Sequence, residues 1–137
     1  MLTILKLRNG TEVIGSVIEQ QEEHLVVTDP LVINYRFVAG QPMPTISLSR
    51  YMPFAYAPTF SFFMEDIMHA VPPSDAFAAY YDNSMQYCKE VVDKSVDDEL
   101  LNAAQIPRSG KGDLMEIYQA ILERTQVKGP LNWVDLW

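Results

Sequence analysis

The chain has 137 residues, 48% of them apolar and 20% charged, with a mean hydropathy of −0.03, which suits one globular domain and excludes disorder throughout. Ten basic against 18 acidic residues leave a net charge of −8, so the field of the whole molecule repels nucleic acid rather than gathering it. A single cysteine, Cys88, excludes an internal disulfide, and with neither a long apolar run nor a leader in MLTILKLRNG the expectation is a soluble, cytoplasmic protein with no membrane partner.

Residues 1–71 are rich in β-branched and aromatic side chains, with turn signals at Asn9-Gly10, Gln20 to Glu23 and Ala39 to Pro44. That pattern predicts an antiparallel sheet. Asn9-Gly10 predicts a two-residue type I′ hairpin joining strands at 2–8 and 11–19. Gly15 falls inside the second strand, where a missing side chain permits a sharp bend or a close backbone approach. A third strand begins near His24, is interrupted at Asp29-Pro30 and resumes as LVINYRFV, while a fourth runs over 45–63 with interruptions at Pro53 and Pro58. Pairing these two around the loop at 39–44 sets Phe37 opposite Ile46, Tyr35 opposite Leu48 and Pro30 opposite Pro53. Ile33, Tyr35, Phe37, Ile46 and Leu48 then share one face, and Asn34, Arg36, Ser47 and Ser49 the other. Arg50 falls on the apolar face against this alternation, and the expectation is that the bend re-aims it.

From Pro72-Pro73-Ser74 the period changes. Phe77, Tyr81, Met85, Cys88 and Val92 form one helical stripe, with Ser74 as N-cap and Asp75 in the first turn. A helix over 72–94 is expected to pack on or beside the sheet. After Lys94 the residues Asp97-Asp98-Glu99, Pro107, Gly110 and Gly112 read as a linker. A short amphipathic helix is predicted next, from the Asp113/Glu116 capping box and the stripe Leu114, Ile117, Tyr118, Ile121 and Leu122, and the chain ends in LNWVDLW.

The first strands carry more than a hairpin. In LKLRNGTEVIGSV the residues Leu5, Leu7, Gly10, Val13, Gly15 and Val17 occupy the positions of apolar-x-L-x-x-G-x-x-V-x-G-x-L, the first motif of the Sm-like family, and Phe62 to Ile67 is similar to its second motif. The chain resembles Sm-like proteins over residues 2–71, and more narrowly those of tailed phages infecting cyanobacteria. The resemblance implies a mainly β fold, a small, strongly bent five-stranded antiparallel barrel followed by C-terminal helices. It also implies a homo-oligomeric ring of five to seven subunits, joined by strand edges, with single-stranded RNA in or near the pore; a phage-encoded chain would work in the host cytoplasm. At the family's RNA-contacting positions this chain has Gln21, His24-Leu25 and Phe63-Met64. His24 can stack on a base and Gln21 can hydrogen-bond to one. The cation of the family's second motif is absent, leaving Lys6, Arg8 and Arg36 as candidates for a local basic funnel, or as ordinary solvated strand residues. Rings of five to seven such chains would carry about −40 to −56, while single-strand affinity rests largely on cations releasing counterions from phosphates.

Candidates for catalysis read more simply as structure. Cys88 lies on the apolar stripe, His24 and His69 have no ligand partner at metal spacing, Gly110-Lys111-Gly112 is no phosphate loop, and Glu65-Asp66 reads as an acidic turn. No enzyme activity, cofactor or metal is expected. Trp133, Leu136 and Trp137 suit a docking peptide, either on the chain's own fold or on a protein partner. Two functions follow: a ring that binds RNA, or an acidic ring scaffold whose tail recruits a protein and which nucleic acid never enters.

Overall fold

The computed structural model describes residues 1–105 together with Leu131 and Asn132. It is mainly β over its N-terminal half and helical thereafter. The strands are β1 (Leu2–Leu7), β2 (Glu12–Gln20), β3 (His24–Arg36), β4 (Thr45–Arg50), β5 (Thr59–Phe63), β6 (Ile67–Val71) and the two-residue β7 (Leu131–Asn132). They form one antiparallel sheet in the order β6-β1-β2-β3-β4-β7, with β5 also paired to β3. The expected long fourth strand is therefore two strands on one partner: β4 pairs with residues 31–36 of β3 and β5 with residues 24–28, while residues 51–58 cross between them. Among the described residues no pairing joins β5 to β6, so the sheet is open.

The first turn departs from expectation. Leu7 N donates to Thr11 O (2.8 Å) and Gly10 N to Leu7 O (3.0 Å), leaving three residues in the loop. Gly10 takes φ +92, whereas Asn9 is not left-handed. A type I′ turn needs both, so the hairpin instead closes with glycine alone in the left-handed position. Asn9 Oδ1 accepts from Thr11 N at 2.9 Å, which satisfies the turn from the side chain.

Gly15 behaves as expected. A Cβ there would lie 2.5 Å from Val27 Cγ1, 3.2 Å from Pro30 Cα and 3.3 Å from Thr28 O. The missing side chain lets β3 press onto β2 where β3 breaks at Asp29, whose φ is +51, and Pro30. That break divides the core. Leu25 and Val27 pack with Leu5, Leu7, Val13 and Phe62, while Leu31 and Ile33, at the same strand parity, pack with Ile14, Ile46 and Leu48. In a regular strand all four would point to one side. The left-handed residue turns the strand over, and neighbouring Val13 and Ile14 of β2 feed the two cores separately.

The β3/β4 register is two residues from the expected one. Tyr35 faces Ile46, Ile33 faces Leu48 and Leu31 faces Arg50. A shift of two preserves the faces, so Ile33, Ile46 and Leu48 are buried as predicted. Phe37 is left beyond the ladder and is 81% exposed. Pro30 does not meet Pro53 across the pair; its carbonyl accepts from Tyr51 N at 3.3 Å.

The helix is longer than expected. Ser74 Oγ accepts from Phe77 N at 3.2 Å and starts α1 (Asp75–Tyr87). One wide turn over Cys88–Val92, in which Asp93 N donates to Cys88 O, leads directly into α2 (Asp93–Gln105). The stripe runs on from Val92 to Val96 and covers Ile14, Leu31, Ile33, Ile46 and Leu48. The acidic run Asp97-Asp98-Glu99 is therefore helical and not linker, since good helix formers follow it in LLNAAQ. The predicted helix near 113–122, Gly110-Lys111-Gly112 and the tail residues Trp133, Leu136 and Trp137 lie outside the described residues. Among the described residues no helix is long and apolar enough to cross a membrane.

Candidate functional site

The turn between β2 and β3 meets the end of β5. Gln21 N donates to His24 O at 2.8 Å and closes the turn, and Met64 N donates to Glu23 O at 2.8 Å. His24 opens β3 directly opposite Phe63, the last residue of β5. Their rings lie 4.7 Å apart, centre to centre, at 42°. The following 3-10 turn, Met64–Asp66, returns the chain to β1: Arg8 N donates to Asp66 O at 2.9 Å, and Arg8 Nε donates to Glu65 O. Gln21, His24 and Arg8 are thus brought to one end by three chain segments far apart in sequence, residues 8, 21–24 and 63–66. Phe63 completes this group as a half-exposed ring, and the alternation in TFSFF, which sets it on the face of Thr59 and Ser61 and opposite Phe60 and Phe62, was the available signal. Glu22, Glu23, Glu65 and Asp66 are exposed at the same end.

Lys6 and Arg36 are not part of it. Lys6 Nζ sits 3.1 Å from Glu12 Oε2, whose other oxygen accepts from Tyr35 OH. Burial and the Glu12 carboxylate both push the Tyr35 hydroxyl above its usual pKa. Arg36 is exposed at the opposite end of β3 from His24. Of the five expected β-region contacts, Gln21 and His24 lie at the turn, Arg8 is joined to it through Glu65 and Asp66, and Lys6 and Arg36 lie elsewhere.

A second constellation surrounds Arg50. The residue does stay on the core face with Ile46 and Leu48, and no bend re-aims it. Its charge is met where it lies: Nε is 3.2 Å from Asp93 Oδ1, Nη2 is 2.7 Å from Asp93 Oδ2, and Nη1 is 3.6 Å from Asp29 Oδ1. Burial opposes the charged guanidinium, but the hydrogen bonds and charge of Asp93 outweigh it and hold its pKa above the ordinary value. Lys89 Nζ lies 3.5 Å from Asp29 Oδ2, and Tyr81 OH donates to Asp29 O at 2.7 Å. Lys89 and Asp93, four residues apart across the wide turn at Cys88–Val92, share one face and both reach the ions at the break in β3. A cavity of about 520 Å³ opens beside them, lined by these ions, by Tyr51, Met52 and Tyr56 of the crossing segment and by Phe60 of β5. An arginine on an apolar strand face was the available signal that a carboxylate partner had to exist.

Cys88 is fully buried on the stripe, and burial pushes its thiol up to about 11. It packs as a small apolar residue. His24 and His69 stand apart, and no group of three metal-binding side chains occurs among the described residues. No family model and no curated protein matches the chain.

Proposed function

We propose that the chain is a subunit of a homo-oligomeric Sm-like ring, and that the ring holds single-stranded RNA where Gln21, His24 and Arg8 meet. The observation that carries the assembly is a pair of open edges. Among the described residues β5 pairs only with β3, and β6 only with β1. Unpaired edges are templates for another chain, and a head-to-tail contact between two different edges closes into a ring when the rotation allows it. Met68 and Val71 of β6 are 54% and 48% exposed, which is apolar surface that such a contact would cover. The strong bend at Asp29 and Gly15, with β4 and β5 sharing β3, supports a curved, barrel-like subunit of the Sm type.

Ladder geometry selects the test of assembly. Asp29 N donates to Pro58 O and Met64 N to Glu23 O, so even-numbered residues of β5 bond inward and Ser61 presents its N–H outward. Ser61→Pro removes that outward donor and spares the pairing with β3. The native mass should fall from a ring to a monomer; a wild-type chain that is already monomeric overturns the reading.

His24, backed by Phe63, offers a stacking face, and Gln21 offers hydrogen bonds to a base edge. Charge favours a second reading, because Glu22, Glu23, Glu65 and Asp66 share that end with Arg8. In it the ring is an acidic scaffold that nucleic acid never enters, and the C-terminal tail recruits a protein. Titration with labelled single-stranded RNA at two salt concentrations decides between them. Salt-sensitive binding weakened by His24→Ala supports the first reading, and no binding at low salt leaves the second.

A further inference from the structure

We propose that the C-terminal peptide 133–137 docks on the tip of its own β3–β4 hairpin, with Phe37, Val38 and Met43 as the receiving surface. The argument begins with direction. β7 pairs antiparallel with β4, Leu131 opposite Ile46 and Asn132 opposite Thr45. The chain therefore leaves β7 toward Pro44 and the loop 37–44, and away from Arg50. Five residues reach at most about 17 Å, and neighbouring strands lie about 4.8 Å apart, so the hairpin tip is within range of the tail.

That tip is apolar and has no role inside the fold. Phe37 is 81% exposed, Met43 45% and Val38 40%, and none of the three belongs to either core. Among the described residues a second exposed apolar loop carries Met52, Phe54 and Tyr56. It follows β4 at the Arg50 end, opposite to the direction in which the tail departs. Direction therefore distinguishes two surfaces that composition alone does not.

The tail supplies matching chemistry. WVDLW has two indole rings, a valine and a leucine to cover the patch. It also carries Asp135, and residues 37–44 contain no ionisable group while exposed Arg36 borders them. A cation beside an apolar tip suits an acidic, aromatic peptide. Because β7 already tethers the tail beside the hairpin, docking is intramolecular and proceeds at high effective concentration. A tail held in this way is unavailable to a protein partner.

Trp133 and Trp137 are the only tryptophans in the chain, so tryptophan emission of the intact protein, excited at the red edge beyond the band of its seven tyrosines, reports on the tail alone. The expected result is blue-shifted emission, shielded from acrylamide. Phe37→Ser with Met43→Ser should shift it to the red and remove the shielding, with no change in far-UV circular dichroism. Phe54→Ser with Tyr56→Ser should leave it unchanged, and the signal should persist in Ser61→Pro at monomer concentrations. Water-like emission in the wild type overturns the proposal, as does blue emission indifferent to Phe37 and Met43. Emission that reddens on passing to the monomer also overturns it, by assigning the tail to a neighbouring copy; the ring itself is read separately from the native mass.

Discussion

Arg50 of β4 and Asp93 of α2 are joined by two parallel hydrogen bonds, Nε to Oδ1 at 3.2 Å and Nη2 to Oδ2 at 2.7 Å. This fork ties the helix to the sheet at the point where β3 breaks, and Asp29 at 3.6 Å makes the arginine a shared partner of both. Its geometry is the bidentate one that guanidinium favours and ammonium does not reproduce.

The two partners are unequal in burial, since the side chain of Arg50 is 15% exposed and that of Asp93 40%. Asp93→Ala should therefore cost about 2 kcal/mol, below the 3–5 kcal/mol typical of a buried pair broken on one side. Arg50→Met should cost less, because Asp29 keeps Lys89 and Asp93 keeps water. Urea denaturation of both variants measures the order, and the reverse order would show that Asp29 is the arginine's main partner.

Gly15→Ala should cost about 2–3 kcal/mol, the usual penalty for forcing atoms into a packed site. The nearest obstacle, Val27 Cγ1 at 2.5 Å, is a side chain, whereas Pro30 Cα and Thr28 O are backbone. Gly15→Ala with Val27→Ala should thus recover only part of the coupling in a double-mutant cycle. Full recovery would mean that β3 moves freely at its break.

Tyr81→Phe removes the donor to Asp29 O at 2.7 Å and leaves that carbonyl without it. The expected loss is about 1–2 kcal/mol. Phe77→Leu, on the same stripe but without a polar partner, should leave the exchange of the Asp29 amide with solvent unchanged, whereas Tyr81→Phe should accelerate it.

Cys88 gives the stability a pH dependence of known sign. Its thiol is raised by burial from an ordinary 9.0 to about 11, so the unfolded chain ionises first as pH rises. The unfolded state then binds fewer protons than the folded one, and stability that is full below pH 9 falls between pH 9 and 11. The tyrosines Tyr35 and Tyr81, also raised by burial, add to the slope at higher pH. Cys88→Ala should flatten the lower part of this fall in denaturation curves. Thiol reagents should react with the folded wild type only as fast as it opens.

Much of the β region was legible because its signals are local. Alternation in TISLSR and LVINYRFV is enough to say which side chains share a face, and a register error of two residues leaves that answer intact. Gly15 was legible for a similar reason, since a glycine inside a strand-forming run points to close backbone approach. The turn at Asn9-Gly10 was legible as a turn but not as a type, because the choice depends on how Leu7 and Thr11 pair across it. The helix boundary failed at Asp97-Asp98-Glu99, where a run of acids looks the same as a linker unless Val96 is seen on the core.

Composition and periodicity by themselves determined a mainly β half, a capped amphipathic helix, a buried thiol and the bend glycine, since each follows from steric or solvation preferences within a few residues. Only the tertiary structure decided what the isolated ions do. Arg50 finds Asp93 43 residues away, Lys6 is taken by Glu12, and Arg8 is drawn to the carbonyl of Glu65. Charge pairing acts through space at a few ångströms, and which residues come that close is set by strand register and by how the helix and the turns pack on the sheet, not by spacing along the chain.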